Sequence, residues 1–287
     1  MQSTRRLLAN AFTPFPVQTL SGVTAFFFCK YPSPLSFPAN PLPLKTSYRS
    51  LSVALNQVTC LRPPRRPRRK PPYLWTVFFR LDGQTLQLSP QFELQGGAKF
   101  HFTQGSHGNL GFLPEEGPQA LAIEPYLGQW ETELQPIEVP FFDYAMPGIL
   151  GVAAVLMQEN NVSDLGADAG HQALNDYVKE AVNQAVHNFH VKVIDVENIQ
   201  PSLKRYFARQ VDALADGIES EVRRAVVKAQ TWSQNLWSLV DQDELIGYRV
   251  WDLMATELPT EGSYALEHVW QAGSLGDWQI EGEIRIK

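Results

Sequence analysis

The segment GILGVAAVLMQEN (148–160) is apolar at almost every position until its last three residues. A strand with one face in water alternates apolar and polar residues, whereas a strand covered on both faces is apolar throughout. The segment therefore predicts a central β-strand with protein packed above and below it. This requirement constrains the fold of the chain more than any other stretch does.

Other segments alternate apolar and polar residues as half-buried strands do. LSVALNQVTC (51–60) alternates as far as Leu55 and its phase slips before Val58, which predicts a strand with a bulge. YLWTVFFRLDG (73–83) alternates and ends in Asp82-Gly83, a dipeptide typical of hairpin turns. Further strands are predicted at FELQG and AKFHF (around 92–103), QWETELQPIEV (129–139), YALEHVW (264–270) and WQIEGEIRIK (278–287).

Between the strands at 148–160 and 264–270 the spacing of apolar residues becomes helical. From about Asp168 an apolar stripe recurs at steps of three and four, and a longer stripe follows Pro201, which suits the first turn of a helix. An αα-hairpin inserted at about 167–240 accounts for both stripes. The first consists of Leu174, Val178, Ala181, Val182, Val186 and Phe189, and the second of Leu203, Phe207, Val211, Leu214, Ile218, Val222, Val226, Ala229, Trp232, Leu236 and Val240.

Together these segments predict an α+β fold, in which an antiparallel β-sandwich at 49–287 is interrupted by the αα-hairpin. Residues 1–48 are predicted to be a disordered tail, because they contain seven prolines and no clear strand or capped helix. The tail combines Arg5, Arg6, many Ser and Thr residues and no acidic residue. That composition is typical of a mitochondrial or plastid transit segment, and the alternative is a tail without a role in the fold.

Cysteine content and hydropathy bear on the compartment. Cys29 and Cys60 are the only cysteines, so neither a disulfide framework nor a cysteine zinc site is expected. No run reaches the ~18 apolar residues that a membrane-spanning helix needs. We therefore expect a cytoplasmic protein without a transmembrane segment, or a mitochondrial or plastid one if residues 1–48 are a transit segment.

Charge is divided unequally along the chain. All 30 acidic residues lie at or after Asp82, so residues 1–81 carry a net charge of +12 and residues 82–287 a net charge of -18. The asymmetry predicts a basic arm on an acidic body. The strongest cluster is RPPRRPRRK (62–70), the basic run, which joins two predicted strands. Its prolines exclude a helix and favour an extended conformation.

The basic run is compatible with several functions. Its six charges suit the phosphates of a polyanion or an anionic lipid surface, and the candidate binding residues are Arg62, Arg65, Arg66, Arg68, Arg69 and Lys70. A nuclear-import signal and a Pro-x-x-Pro-x-basic ligand for an aromatic groove have the same composition. The remaining alternative is a solvated loop attracted to the acidic body.

Two segments resemble parts of the calcium- and lipid-binding C-two sandwich. PPYLWTVFF matches its strand entered through an Asp-Pro-Tyr-type step, and LMQENNVSD matches a strand that leads into an Asp-rich loop. The resemblance implies two packed sheets with ligand-binding loops at one end. The loop that supplies acidic calcium ligands in that family is here the basic run, so the implied calcium loops are degenerate. YLWTVFFRLDG and AGHQALNDYV also resemble segments of uncharacterised microbial proteins.

Six acidic residues flank the predicted insertion: Glu159, Asp164, Asp168, Asp241, Asp243 and Glu244. If the insertion leaves one strand near Glu159 and rejoins the sheet near Leu245, its two ends are neighbours in space. Clustered carboxylates favour a divalent cation, which relieves their mutual repulsion. The alternative is that Asp164 and Asp168 complement the start of the first helix while the other carboxylates are solvated.

Three histidines lie in or beside the first predicted helix. His171 is near the acidic residues and is a candidate catalytic base if it lines a cleft. His187 and His190 are spaced to place two imidazoles on one metal, or alternatively to complement the negative end of the helix. The serine nucleophile elbow, the P-loop and the zinc-protease helix motif are absent from the sequence.

The sequence therefore predicts a non-catalytic binding or scaffold module of unknown partner, which contacts polyanions or anionic lipid through the basic run. No cofactor is predicted, and a divalent cation is the open alternative. The alternative function is an enzyme with its site at the acidic base of the insertion, using His171 or a bound metal. A buried pocket that joins His171 to the carboxylates would favour the enzyme.

Overall fold

Strands dominate the described part of the chain, and their pairs are antiparallel. The computed structural model describes residues 48–64, 70–91, 93–105, 107–112, 118–140, 145–160, 163–189, 205–206, 209–210, 213 and 244–287. The strands are β1 (Arg49–Arg62), β2 (Pro72–Leu81), β3 (Leu86–Leu88), β4 (Leu94–Gly96), β5 (Lys99–Phe102), β6 (Gln119–Ala122), β7 (Gln129–Leu134), β8 (Ile137–Glu138), β9 (Ala145–Met146), β10 (Ile149–Gln158), β11 (Glu244–Met254), β12 (Gly262–Gln271) and β13 (Asp277–Ile286). The helices are α1 (Pro125–Gly128) and α2 (Asp164–His187), and a 3-10 turn spans Gly273–Leu275.

The longer strands form two sheets. The first sheet has the order β12-β13-β1-β6, and β7 also pairs with β1; the second sheet has the order β11-β10-β2-β5. Two small ribbons, β3-β4 and β8-β9, complete the pairing among the described residues. The chain passes from β1 in the first sheet to β2 in the second, so the basic run connects the two sheets.

The long strand β1 accommodates two partners along one edge. Its first half pairs with β7 and its second half pairs with β6, while its other edge pairs with β13 throughout. The register with β13 shifts between Leu55 and Gln57. This irregularity lies where the slip in the apolar alternation predicts a bulge. An extra residue in the strand restores the inward direction of the apolar side chains after the slip.

One hydrophobic core is built from side chains of both sheets. The first sheet contributes residues such as Val53, Leu266 and Trp278, and the second contributes Phe78 and Leu150 among others. The opposite face of the second sheet packs against α2 in a separate core. The strands β2 and β10 are therefore buried at every position, as the continuous apolar segment at 148–160 predicts.

The helix α2 is built as its sequence predicts, although it begins at Asp164 rather than near Asp168. The Ser163 hydroxyl accepts a hydrogen bond from the amide of Gly166 at 3.2 Å, which caps the start of the helix. Within the predicted stripe, Leu174, Val178, Val182, Val186 and Phe189 are buried against the second sheet, and Ala181 is half-buried. Burial of each large aliphatic side chain contributes about 1.5–3 kcal/mol.

All eleven residues of the second helical stripe lie outside the described residues. In the segment that contains the stripe, residues 205–206, 209–210 and 213 are described and are helical. The Tyr206 hydroxyl donates to the carbonyl of Ala185 at 2.7 Å, and its ring meets Phe189 edge-on with 5.2 Å between centroids. These contacts place Tyr206 beside the end of α2. The predicted tail at 1–48 also lies outside the described residues, except for Tyr48.

The hairpin turn predicted at Asp82-Gly83 is wrong. A turn occurs there, but the next strand, β3, pairs with β4, and both edges of β2 are taken by β5 and β10. The Asp82 carboxylate instead accepts the amide of Gln135 at 3.0 Å and pairs with Arg80 at 3.4 Å. Among the described residues, none of the helices is both long and apolar enough to cross a membrane.

Candidate functional site

The basic run begins and ends at fixed points at one end of the two sheets. At its start, Arg62 forms two hydrogen bonds of 2.8 Å with the Asp277 carboxylate of the neighbouring strand β13. These hydrogen bonds lower the pKa of Asp277, against a smaller opposing effect of burial. At its end, Lys70 is half-buried and its carbonyl accepts a hydrogen bond of 3.4 Å from the side chain of Gln158. Residues 65–69, with four of the predicted binding residues, lie outside the described residues.

The two ends of the helical insertion meet beside the end of the basic run. Gln158 in β10 is opposite Glu244 in β11, and the amide of Glu159 donates to the carbonyl of Pro71 at 3.0 Å. The predicted acidic site requires Glu159 and Glu244 to be close in space, and the strand pairing brings them close. Asp164 and Asp168 are exposed in the first turns of α2.

A cation site among these carboxylates stays a prediction. Asp241 and Asp243 lie outside the described residues. Within the described ranges, no three His, Cys, Asp or Glu side chains are grouped closely enough to hold a metal ion. Asp164 approaches a histidine instead, with 3.3 Å between its Oδ1 and Nδ1 of His107. Its place in the first turn of α2 also lets it complement the helix dipole.

His171 lies inside the protein between α2 and the second sheet. It is 6% exposed, and its ring is parallel to that of Trp75 with 5.4 Å between centroids. Nδ1 is 2.9 Å from the carbonyl oxygen of Gly105. A carbonyl only accepts, so Nδ1 carries the proton and Nε2 has the lone pair in the neutral ring. Burial lowers the pKa of His171, while the bond to Gly105 and the charge of Asp168 oppose this shift.

The loop that covers His171 contains residues to which the sequence assigns no role. The Asn109 side chain bonds to both the amide and the carbonyl of Leu74, at 2.8 and 2.7 Å, and so replaces a strand partner at the start of β2. His107 meets the ring of Tyr73 edge-on at 5.0 Å. Gly105 has φ 123°, a conformation that glycine adopts without strain. The loop therefore fastens the start of α2 to the start of β2.

The other two histidines do not form a described metal pair. His187 is exposed, and its Nδ1 lies 2.8 Å from the carbonyl of Asn183 in the preceding turn. This contact agrees with the alternative in which His187 complements the C-terminal end of the helix. His190 lies outside the described residues. The pairing of these two imidazoles on one metal stays a prediction.

A groove of about 760 Å³ runs along a different side of α2. It lies between this helix and the described residues Gln210 and Ala213, and His171 is not among its lining residues. The lining is polar and acidic, with Asp176, Glu180 and Gln184 on α2 and Gln210 opposite them. The groove and the histidine are thus separate features of the helix.

The two candidate sites differ in exposure among the described residues. The Arg62 side chain at the start of the basic run is 44% exposed and Lys70 at its end is half-buried, whereas His171 is enclosed. His171 is packed against a ring and a backbone carbonyl rather than standing on the wall of a cleft. No model of a known protein family matches the chain, and neither does any curated protein or solved structure.

Proposed function

We propose that the chain is a non-catalytic binding module that engages polyanionic surfaces through the basic run. The observation that supports this function is the position of the run: it spans from Arg62 in one sheet to Lys70 beside the other, at one end of both sheets. Its ends are held by the bonds of Arg62 to Asp277 and of Gln158 to Lys70. The strongest charge cluster of the chain therefore begins and ends at residues that are bonded to the two sheets.

The acidic body does not cancel this cluster at a distance. The screening length is about 8 Å at 0.15 M salt, so an anionic surface that meets the run interacts with its charges more than with remote carboxylates. Because Arg62 is already paired with Asp277, five charges remain for a ligand. Five phosphate contacts on duplex DNA correspond to a slope of log affinity against log salt of about -4.5.

The test compares two variants of equal charge. In one, Arg65, Arg66, Arg68 and Arg69 are replaced by Ser; in the control, Lys99, Lys179, Arg205 and Arg209, which are exposed elsewhere, are replaced by Ser. Binding to duplex DNA, heparin and anionic vesicles is measured over a salt series. We expect the first variant to lose most of the affinity and of the salt slope, and the control to lose little of either.

Equal binding of the two variants to all three anions would contradict the proposal. Their melting temperatures should match that of the parent, because none of the substitutions removes a buried apolar group. A loss of binding in both variants to the same degree would show that overall charge, rather than the basic run, determines the affinity.

We also propose that the two sheets with their shared core form a β-sandwich, similar to the C-two fold, and that α2 and the second stripe form an αα-hairpin. The core that takes side chains from both sheets supports the first part. The contacts of Tyr206 with Ala185 and Phe189 support the second. An experimental structure in which residues 203–240 pack elsewhere than along α2 would contradict the hairpin.

The enzyme alternative is less well supported. It requires a substrate to reach His171, but this residue is 6% exposed and its Nδ1 is bonded to the carbonyl of Gly105. The large groove along α2 is lined by other residues. The described geometry therefore favours the binding module.

A further inference from the structure

Three buried polar atoms at the interface between α2 and the second sheet have no hydrogen-bond partner among the residues that the structure describes. They are Nε1 of Trp75, Nε2 of His171 and Oδ1 of Asn175. The side chains are 0%, 6% and 8% exposed, respectively. A polar atom that leaves water without gaining a hydrogen bond is costly, so each of the three atoms calls for a partner.

The three residues belong to two elements, β2 and α2, that pack against each other in one core. Trp75 lies in β2 and its ring is parallel to that of His171 in α2, with 1° between the planes. Asn175 follows His171 by one helical turn on the same buried face. None of the three atoms meets the distance and angle of a hydrogen bond to another of them. A direct bond among them is therefore not the partner that they need.

The hydrogen-bonding pattern of these atoms defines what can bind. The indole nitrogen only donates, and the amide oxygen only accepts. Nε2 of His171 accepts, because its Nδ1 donates to the carbonyl of Gly105. A ligand must therefore accept one hydrogen bond and donate two. An anion would face two acceptors, and a cation would face the N–H of Trp75, so the ligand is neutral and offers one acceptor and two donors.

We propose that one water molecule is bound between α2 and the second sheet, where it accepts from Trp75 and donates to His171 and Asn175. Water is the smallest molecule with this pattern, and a buried water typically makes about three hydrogen bonds to groups that lack other partners. The bridge ties the first half of α2 to β2, in addition to the bond between His171 and the carbonyl of Gly105. This site is independent of the basic run and of the function proposed for it.

The direct test is a high-resolution crystal structure of the full chain. We expect one ordered water within about 3.2 Å of Nε1 of Trp75, Nε2 of His171 and Oδ1 of Asn175. A dry interface, or protein groups bonded to these three atoms, would overturn the proposal. Because this experiment uses the unmodified protein, it does not depend on whether a variant folds.

A solution test uses magnetisation exchange between water and the indole proton of Trp75, identified by its loss in Trp75→Phe. We expect a cross-peak to long-lived water in the parent, its loss in Asn175→Leu, and its retention in Gln172→Leu, which changes an exposed residue of the same helix. The 15N shifts should show His171 protonated at Nδ1. A cross-peak unchanged in folded Asn175→Leu, or a proton on Nε2, would overturn the bridge.

Discussion

At the scale of single residues, the protonation of His171 follows from one backbone contact. Gly105 presents only a carbonyl oxygen to Nδ1, so the proton stays there and the ring is held parallel to Trp75. A charged imidazolium at this buried position would lose most of its hydration, which disfavours protonation. Burial therefore lowers the pKa of His171, and this shift makes the stability of the protein depend on pH.

We predict that the free energy of unfolding decreases as the pH falls below about 6.5, in part because of His171. Its ordinary pKa is 6.5, and burial lowers it in the folded state. Below pH 6.5, His171 binds more protons in the unfolded state than in the folded state. The stability contributed by neutral His171 is therefore fully present above pH 6.5, and it is lost as the pH falls through the pKa of the folded state. If the pKa is lower by one in the folded state, the corresponding difference in the free energy of unfolding is about 1.4 kcal/mol. Urea melts at pH 7.5 and pH 5 measure the difference.

The variant His171→Gln separates this contribution from those of other groups. His101 and His268 also have pKa values lowered chiefly by burial. The pH dependence of the parent's stability therefore includes their contributions as well as that of His171. We expect His171→Gln to lose less stability than the parent between the two pH values. The exposed His187→Gln should behave as the parent does. If both variants show the parental pH dependence, His171 does not titrate as the geometry indicates.

At the scale of elements, α2 is fixed to the body by contacts with several elements. Its apolar face covers the second sheet, and Oδ1 of Asn183 accepts the amide of Ala98, which precedes β5, at 3.0 Å. The loop at 105–111 fastens its start through His171. The helix is therefore part of the packed structure, and its removal would expose one face of β2 and β10 to water.

A charge placed on the buried face of α2 should test this role. Val178 is fully buried, and Val178→Asp would place an unpaired carboxylate in the core, at a cost of about 3 kcal/mol or more. Gln184→Asp adds the same charge to the exposed side of the helix and should change the free energy of unfolding by less than about 0.5 kcal/mol. Thermal melts followed by circular dichroism compare the two. Similar melting temperatures would mean that α2 is not packed as described.

Elements with a strong local pattern could be predicted from the sequence, and those defined by distant partners could not. The strands β10 and β13 and the buried face of α2 follow from apolar spacing alone. The strand β11 was not predicted: it has apolar neighbours on both faces, and Ile246 is an extra residue opposite β10 that disrupts the alternation. The predicted hairpin after β2 is wrong because β2 pairs with β10 and β5 rather than with the next strand, and a local dipeptide does not indicate such partners.

The candidate site could also be predicted only where a local pattern indicates it, and not where distant segments meet. The sequence locates the basic run between two strands, but only the structure shows that these strands belong to different sheets. His171 was predicted beside carboxylates, whereas its main neighbours, Trp75 and Gly105, come from segments about 100 and 70 residues earlier. Contacts over such separations depend on strand pairing, which periodicity in one segment does not determine.

At the scale of the whole molecule, polar contacts join the two sheets across their edges. The buried guanidinium of Arg80 in the second sheet donates to the carbonyl of Glu133 in the first. At the start of the described structure, Arg49 donates to the carbonyls of Leu258 and Pro259 at 3.1 and 2.9 Å. These bonds add to the core that both sheets share, so the described body contains the contacts expected of a cooperative folding unit.

We predict that a chain beginning at Ser47 keeps the cooperative thermal transition of the full chain, with a melting temperature within a degree or so. The described contacts support this expectation, because β1 begins at Arg49 and its pairings with β13 and β7 start at Leu51 and Arg49. The truncation leaves these pairings and the bonds of Arg49 to Leu258 and Pro259 intact. Calorimetry of both chains measures the transition. A matched truncation beginning at Ala54 should melt at a much lower temperature, since it removes the first five of the 14 residues of β1, a central strand of the first sheet. A similar loss in the chain beginning at Ser47 would show that residues 1–46 contribute to the packed core.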